Sequence, residues 1–215
     1  MSRENAVVWS AIWRRLSTGS NPKGEDRSMH RGKVGVDLGL SAEEKQTLRQ
    51  IAFQAIRSRC FGEPLPEPSP ESPGLKERRG AFVCLHKGKE LRGCIGMIEP
   101  IEPLYKTVRN MAVEAAFGDP RFCALQSDEL DRVDIEISVL TRLERISDTE
   151  RIEIGKHGIY IRKNYQTGLL LPQVATDNHW DTREFLEWTC RKAGIPSDAW
   201  KDPDTEIYIF SADIF

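Results

Sequence analysis

The sequence predicts an α+β fold with a largely antiparallel sheet flanked by helices. Two observations lead to this prediction. Strand-like segments occur in pairs joined by short turns, and helical segments do not alternate with single strands as they do in βαβ units. At 215 residues the chain is long enough to bury a sizeable core without disulfides or metals.

Apolar spacing and caps mark the helical segments. Ser41 opens a capping box ahead of the first, Pro103 suits the first turn of the second, and Asp181 caps the third. Gly194 suits the position after the third helix, where glycine readily adopts the left-handed conformation. The predicted helices lie near 41–59, 103–117 and 182–193.

The strands are marked by apolar residues between turn signals. Val133, Ile135 and Ile137 alternate with polar residues, which predicts a half-buried strand. Residues 87–89 predict the turn of one hairpin, and residues 163–167 predict a five-residue turn in another. The predicted strands are 80–86, 91–95, 133–139, 159–162, 168–171 and 207–210.

Residues 1–39 are predicted to be a flexible N-terminal extension, and residues 40–215 a single domain. Glycine, serine and charged residues dominate the end of the extension, as they do in flexible linkers. An alternative stays open, because Trp9, Trp13 and neighbouring apolar residues could form the stripe of a short docking helix.

The composition points away from nucleic acid and membranes as partners. The formal net charge is −2, which provides no strong attraction to polyanions or anionic lipids. No apolar run approaches the ~20 residues that span a bilayer. The five cysteines are odd in number and form no CxxC pair, which favours reduced thiols and a cytoplasmic location.

The segment 91–96, Leu-Arg-Gly-Cys-Ile-Gly, carries the strongest chemical signal. An arginine beside a cysteine favours the thiolate, so Cys94 is predicted to be a nucleophilic or redox-active thiol and Arg92 its activator. Gly93 and Gly96 leave room for the close approach of a ligand. The alternative is that Cys94 is a small buried hydrophobic residue.

His157 and Glu136 complete the predicted catalytic set. His157 lies in a predicted loop and is the best candidate for a base, although a lone histidine is often structural. Glu136 lies on the polar face of an otherwise apolar strand. It is either exposed to solvent or, if that face is covered, a buried carboxylate with a raised pKa or an arginine partner.

Two further residues are predicted to contact a ligand. Arg121 could bind an anionic group bidentately, and Asp119 and Pro120 before it predict a turn after a helix. Gln173 follows a predicted strand end, where an amide can cap the backbone or bind the edge of a ligand.

No metal or cofactor is predicted. Cys84 and His86 share one face of a strand, and Cys94 would join them after a three-residue turn but would point away after a two-residue turn. The set lacks a fourth ligand for tetrahedral zinc. Phosphate-binding loops, dinucleotide fingerprints and the CxxxCxxC pattern of radical SAM enzymes are absent from the sequence.

Taken with other segments, residues 91–96 resemble the signature of the AMME-chromosomal-region protein domain family, whose prokaryotic members are called AmmeMemoRadiSam system protein A. The resemblance covers residues 40–215. The other matching segments, in the family's order, are 115–122, 135–141, 155–158, 168–175, 189–194 and 210–215.

The resemblance implies an α+β domain with a larger and a smaller lobe. It also implies a component of a three-part system with a Memo-type protein and a radical SAM protein as partners, and leaves room for a small-molecule ligand. Two hypotheses follow. In one, Cys94 forms a cysteine-centred site in an inter-lobe cleft; in the other, the protein is a non-catalytic adaptor that docks partners through the same surface. Whether the protein is an enzyme is left open.

Overall fold

Helix α1 (Ala42–Cys60) begins at the predicted capping box. The hydroxyl of Ser41 accepts a hydrogen bond from the Glu44 N–H at 3.1 Å, and the Glu44 carboxylate accepts one from the Ser41 N–H at 2.8 Å. The computed structural model describes residues 34–215. Most of the predicted extension at 1–39, including the apolar stripe around Trp9 and Trp13, therefore lies outside the described residues.

The described chain divides into two units. The first contains Leu38–Arg142 and Asp213–Phe215, and the second contains Leu143–Ala212 together with residues 34–37. The prediction of residues 40–215 as a single two-lobed domain stays a prediction.

The first unit is built on an antiparallel sheet. Strand β1 (Ala81–Lys87) lies between β2 (Glu90–Met97) and β3 (Asp134–Leu140). Ile137 of β3 also exchanges both backbone hydrogen bonds with Phe215 at the end of the chain.

Two helices cover this sheet. Helix α3 (Leu104–Phe117) packs against β1, β2 and α1, while the short helix α2 (Pro73–Lys76) ends the proline-rich segment. The inward-facing residues of these elements form one apolar core, whose fully buried members include Leu48, Val83, Leu85, Ile95, Val108 and Ile137.

The second unit also has an antiparallel sheet. Its strands pair in the order β4-β7-β5-β6, and helix α5 packs on β5 and β6 while α4 packs on β5. The elements are β4 (Glu144–Ile146), β5 (His157–Lys163), β6 (Gln166–Leu170), α4 (Pro172–Asp177), α5 (Thr182–Ala193) and β7 (Glu206–Ile214).

The predicted fold class is confirmed, and three details of the elements differ. The hairpin turn predicted as five residues is a two-residue turn, Asn164-Tyr165, between paired Lys163 and Gln166. Asn164 has φ 53°, a left-handed conformation that asparagine tolerates in such turns. The final strand is longer than predicted, and the short helix α4 that follows β6 was not predicted. No helix among residues 34–215 is both long enough and apolar enough to cross a membrane.

The first hairpin contains a bulge that decides which side chains meet. Its loop has two residues, because Lys87 pairs with Glu90. Leu91 then pairs with His86, but Gly93 pairs with Leu85, so Arg92 has no partner position on β1. This extra residue shifts the register by one and brings Cys94 opposite Cys84. The expectation that a two-residue turn would turn Cys94 away is therefore wrong, because the bulge reverses it.

Candidate functional site

Cys84 and Cys94 are joined by a disulfide between β1 and β2. They occupy directly opposed positions with their Cα atoms 4.1 Å apart, so their side chains leave the sheet on the same face. Cys84 is buried and Cys94 is partly exposed. The prediction of reduced thiols is wrong for these two residues, because the bulge brings their sulfurs together.

The main chain of Cys94 is held on both sides by an ion pair. Its N–H donates to Asp119 Oδ2 at 2.9 Å, and its carbonyl oxygen accepts from Arg121 Nη2 at 3.2 Å. Arg121 also binds Asp119 through Nε at 2.9 Å and Nη2 at 2.5 Å. The turn predicted at Asp119 thus places a carboxylate and a guanidinium against the edge strand.

Asp119 is 4% exposed, yet its surroundings favour the charged form of its carboxyl group. Burial by itself raises the pKa of this carboxyl group, but hydrogen bonds from Arg121 and from the Cys94 and Arg121 N–H groups outweigh burial and lower the pKa overall. Arg121, predicted as a ligand contact, directs its guanidinium at Asp119 and Cys94 in this structure. Its role in binding a ligand stays a prediction.

Arg92 binds the segment after helix α3. Its guanidinium contacts the Glu129 carboxylate at 2.9 and 3.1 Å, and Nη1 donates to the carbonyl oxygen of Cys123 at 2.9 Å. Hydrogen bonding from Arg92 is the main cause that lowers the pKa of Glu129 to about 2. The structure therefore gives Arg92 a carboxylate partner in place of the predicted thiolate.

Gly93 and Gly96 make room for neighbouring parts of the protein. A Cβ atom at Gly93 would lie 2.1 Å from the carbonyl oxygen of Ala115 in α3, and one at Gly96 would lie 2.2 Å from the Phe82 ring. Neither glycine has a positive φ. The close approach that the glycines allow is thus made by a helix backbone and an aromatic ring of the protein itself, and their predicted contact with a ligand stays a prediction.

Glu136 lies beside the disulfide. It is opposite Cys84 on β3, so Cys94, Cys84 and Glu136 form a row across three strands on one face of the sheet. Glu136 is partly exposed, an intermediate between the two predicted alternatives of a solvent-exposed and a buried carboxylate. The structure thus brings a carboxylate next to the more buried sulfur.

His157 is the first residue of strand β5 in the second unit, where a loop was predicted, and its imidazole binds the backbone of the loop before that strand. Nδ1 accepts a hydrogen bond from the Glu153 N–H at 3.1 Å and lies 3.1 Å from the carbonyl oxygen of Arg151. Burial, followed by the charge of Lys156, lowers the pKa of His157. These contacts with neighbouring backbone fit the structural alternative, and a catalytic role for His157 stays a prediction.

Gln173 lies at the second residue of helix α4, directly after Pro172, in place of the predicted strand end. It is partly buried in the second unit. Its predicted contact with a ligand, and the placement of the site in a cleft between lobes, stay predictions.

The remaining cysteines differ from the disulfide pair. Cys123 is exposed, Cys60 is partly buried and Cys190 is buried. Burial raises the pKa of the Cys60 thiol and raises that of Cys190 to about 11. Among residues 34–215, no cluster of three or more histidine, cysteine or acidic side chains has an arrangement suited to a metal ion. Of the three residues weighed as zinc ligands, Cys84 and Cys94 meet in the disulfide, and His86 lies opposite Leu91.

Three residues of this site were missed or assigned another role from the sequence. The sequence points to Cys84 only as a metal ligand and to Asp119 only as a turn residue, and it gives no signal for Glu129. The spacing of Asp119 and Arg121 is a signal that could have predicted the ion pair, since only Pro120 separates them in a turn. Nothing in the local sequence marks the bulge that pairs the two cysteines.

The comparisons with known proteins agree on one family. The family model described as AMMECR1 matches residues 49–215. A protein from Methanothermobacter thermautotrophicus is 44% identical over 185 residues, covering 82% of this chain and 95% of the relative. Protein MK0488 from Methanopyrus kandleri is 43% identical over 185 residues, covering 82% of this chain and 89% of the relative.

A solved structure has the same fold. The crystal structure of the uncharacterized protein PH0010 from Pyrococcus horikoshii superimposes with a TM-score of 0.78 at 38% sequence identity. The match covers 81% of this chain and 92% of that chain.

Proposed function

This chain belongs to the AMMECR1 family, and on that premise we propose that Cys84 and Cys94 form a thiol–disulfide centre that cycles between the disulfide and the dithiol. The observation that carries the proposal is the directly opposed register of the two cysteines, one buried and one partly exposed. In a cytoplasmic protein, which we propose this to be, disulfides are ordinarily transient and catalytic or redox-sensing.

The difference in exposure assigns the two sulfurs different roles. A thiolate of a dithiol reductant attacks Cys94 Sγ, the more accessible sulfur, and the electron pair of the broken S–S bond passes to Cys84 Sγ, which takes a proton from solvent. The second thiolate of the reductant then attacks the mixed disulfide and releases Cys94 as a thiolate. Two electrons are transferred, and the reductant leaves as a disulfide.

The surroundings of Cys94 support this role. Because Asp119 and Arg121 hold both backbone polar groups of Cys94, the residue stays in register whether or not its sulfur is bonded to Cys84. Glu136 stands beside the sulfur that leaves as a thiolate. A negative charge there opposes the developing charge, so Glu136→Gln is expected to speed reduction of the disulfide.

Trapping of a mixed disulfide tests the assignment of the two sulfurs. Full-length Cys84→Ser and Cys94→Ser variants are compared in a Cys123→Ser background, which removes the exposed thiol. Each is mixed with oxidised glutathione, and the adducts are followed by peptide mass spectrometry. We expect Cys94 in the first variant to react about tenfold or more faster than Cys84 in the second, as accessibility governs exchange. Equal rates, or no adduct at Cys94, would contradict the assignment.

We also propose that the protein acts with a Memo-type protein and a radical SAM protein. Membership of the family supports this association, and the thiol–disulfide centre gives the chain a redox state to which partners could respond. The test is co-purification of the three proteins, with the full chain held oxidised or reduced. Association that differs between the two states is expected. Failure to associate in both states would contradict the partnership and leave the chemistry of Cys84 and Cys94 to be judged by the trapping experiment.

A non-catalytic adaptor is the second candidate. It is favoured by the packing of residues 91–96, since Gly93 and Gly96 accommodate protein atoms and Arg92 binds Glu129. In this hypothesis residues 91–96 have a structural role only, and the disulfide stabilises the hairpin. The adaptor hypothesis predicts that partners bind the Cys84→Ser, Cys94→Ser double variant as well as they bind the native protein.

A further inference from the structure

An open cavity of about 440 Å³ lies in the first unit, at the end of the sheet away from the first hairpin's turn. It is bounded by the segment 77–80 that leads into β1, by residues that follow β2, and by the end of β3 and the two residues after it. All of its lining residues belong to the first unit. Its volume falls within the range of roughly 300–1,000 Å³ typical of small-molecule sites.

The floor of this cavity is closely packed and apolar. Gly80 accepts a hydrogen bond from the Leu140 N–H at 2.9 Å, and a Cβ atom at Gly80 would lie 2.5 Å from the carbonyl oxygen of Ile98. Leu140 is 2% exposed and Ile98 is 9% exposed. With Pro100, these side chains provide a surface suited to the apolar body of a ligand.

Three arginines surround the cavity, and one of them is fixed in place. Arg79 pairs with Glu77 at 2.8 Å and reaches the carbonyl oxygen of Leu38 at 3.5 Å. These two contacts hold the Arg79 side chain in place. The carboxylate of Glu77 offsets one of the three positive charges.

The other two guanidinium groups are available to a ligand. Arg78 is fixed through its backbone, which bridges to Pro103, but within residues 34–215 its side chain has no hydrogen bond or ion pair. The same is true of the Arg142 guanidinium in this described range. Both residues are exposed. Together the lining leaves a local net charge of +2 in a protein whose formal net charge is −2.

We propose that this cavity binds a small phosphate monoester with an apolar or aromatic body. The phosphate dianion matches the local charge, and arginine binds phosphate oxygens bidentately. Arg78 and Arg142 contact the phosphate, and the positive charge of Arg79 attracts it. The apolar body of the ligand contacts Ile98, Pro100 and Leu140. This site is separate from the cysteine pair and does not depend on its chemistry.

Calorimetric titration of the full chain tests the proposal, with phenyl phosphate at pH 8 as the probe. Arg78→Gln and Arg142→Gln should each weaken binding by about tenfold or more, because each removes a charge-assisted contact. Arg59→Gln is the matched control, since Arg59 is also exposed and has no ion pair in the described chain but does not line the cavity. This control should bind as the native protein does.

Two further probes separate the contributions of charge and body. Benzoate, a monoanion of similar body, and inorganic phosphate, which lacks the body, should each bind at least severalfold more weakly than phenyl phosphate. Phenyl phosphate binding that is undetectable at millimolar concentration would overturn the proposal. So would a loss of affinity in Arg59→Gln equal to that in the two cavity variants, because binding would then reflect general surface charge.

Discussion

At the scale of single residues, the strand backbone at Cys94 depends on side chains outside the segment 91–96. Asp119 and Arg121 come from the turn after helix α3, and both are buried against the strand edge. Their mutual charge neutralisation allows them to be buried, and their remaining hydrogen-bonding atoms bind the Cys94 backbone. The backbone position of Cys94 is thus set by side chains from the turn after helix α3.

The first prediction concerns this ion pair. Asp119→Ala leaves the buried Arg121 guanidinium without its charge partner and the Cys94 N–H without its acceptor, so we expect a loss of about 3–5 kcal/mol in the free energy of unfolding. Urea denaturation measures the loss. Asp128→Ala is the control, because Asp128 forms an exposed ion pair with Arg132 and should cost less than about 1 kcal/mol. Equal losses in the two variants would contradict the structural role of Asp119.

The second prediction is a pH dependence. Because Arg92 lowers the pKa of Glu129 from 4.5 to about 2, this pair stabilises the fold above pH 4.5 and its contribution is lost as the pH falls towards 2. Arg92→Gln should therefore cost about 2 kcal/mol near pH 6, with a penalty that shrinks below pH 4.5. Denaturation curves from pH 6 to pH 2 measure it. A penalty that is constant over this range would show that Glu129 is not the partner that matters.

At this scale the sequence predicted contacts for several residues that differ from those in the structure. The positive charge of Arg92 and the thiol of Cys94 are close in sequence, which predicts an interaction. The bulge at Arg92 instead allows its guanidinium to bind Glu129, 37 residues away. A contact over that distance depends on tertiary packing, which local spacing does not contain.

At the scale of elements, the close packing of helix α3 on β2 explains the glycine at position 93. The Ala115 carbonyl oxygen occupies the position that a side chain at Gly93 would need. Residues 91–96 and 115–122 are therefore parts of one packing unit, with the helix resting on the strand and the turn after it holding the strand edge.

The third prediction tests this packing. Gly93→Ala should destabilise the protein by about 2–3 kcal/mol, because the added methyl group forces the helix away from the strand. Gly88→Asn is the matched control in the same hairpin. Gly88 has φ +63° with open space around it, and asparagine tolerates this conformation, so the cost should be about 0.5 kcal/mol. Thermal unfolding distinguishes the two variants, and a neutral Gly93→Ala would exclude the close contact.

Helices were easier to predict from the sequence than turns. The caps at Ser41 and Asp181 depend on hydrogen bonds between residues three positions apart, so the local sequence predicts them. Both capping boxes form. The hairpin turns differ, because their length depends on where strand pairing stops. Pairing continues to Lys163 and Gln166, which shortens the predicted five-residue turn to two.

At the scale of the whole molecule, the family match covers most of the chain but not its N-terminal segment. The family model matches 49–215, and the first two relatives each align over 82% of the chain. The N-terminal segment is therefore predicted to add little to the stability of the fold.

The fourth prediction follows for residues 1–33. Their deletion should change the melting temperature by less than about 4 °C, which corresponds to about 1 kcal/mol for a protein of this size. Differential scanning calorimetry of the full and shortened chains measures the change. A larger drop would mean that the apolar residues around Trp9 and Trp13 pack on the fold and that the docking-helix alternative deserves a direct test.

The central claim is that Cys84 and Cys94 form a disulfide-capable pair, and counting thiols tests it most directly. The full chain is purified without reductant, unfolded in denaturant with iodoacetamide, and digested for mass spectrometry. We expect three labelled cysteines, Cys60, Cys123 and Cys190, and a linked peptide that contains Cys84 and Cys94. Prior treatment with dithiothreitol should raise the number to five. Five labelled cysteines without reductant, even after exposure of the native protein to oxidised glutathione, would contradict the account.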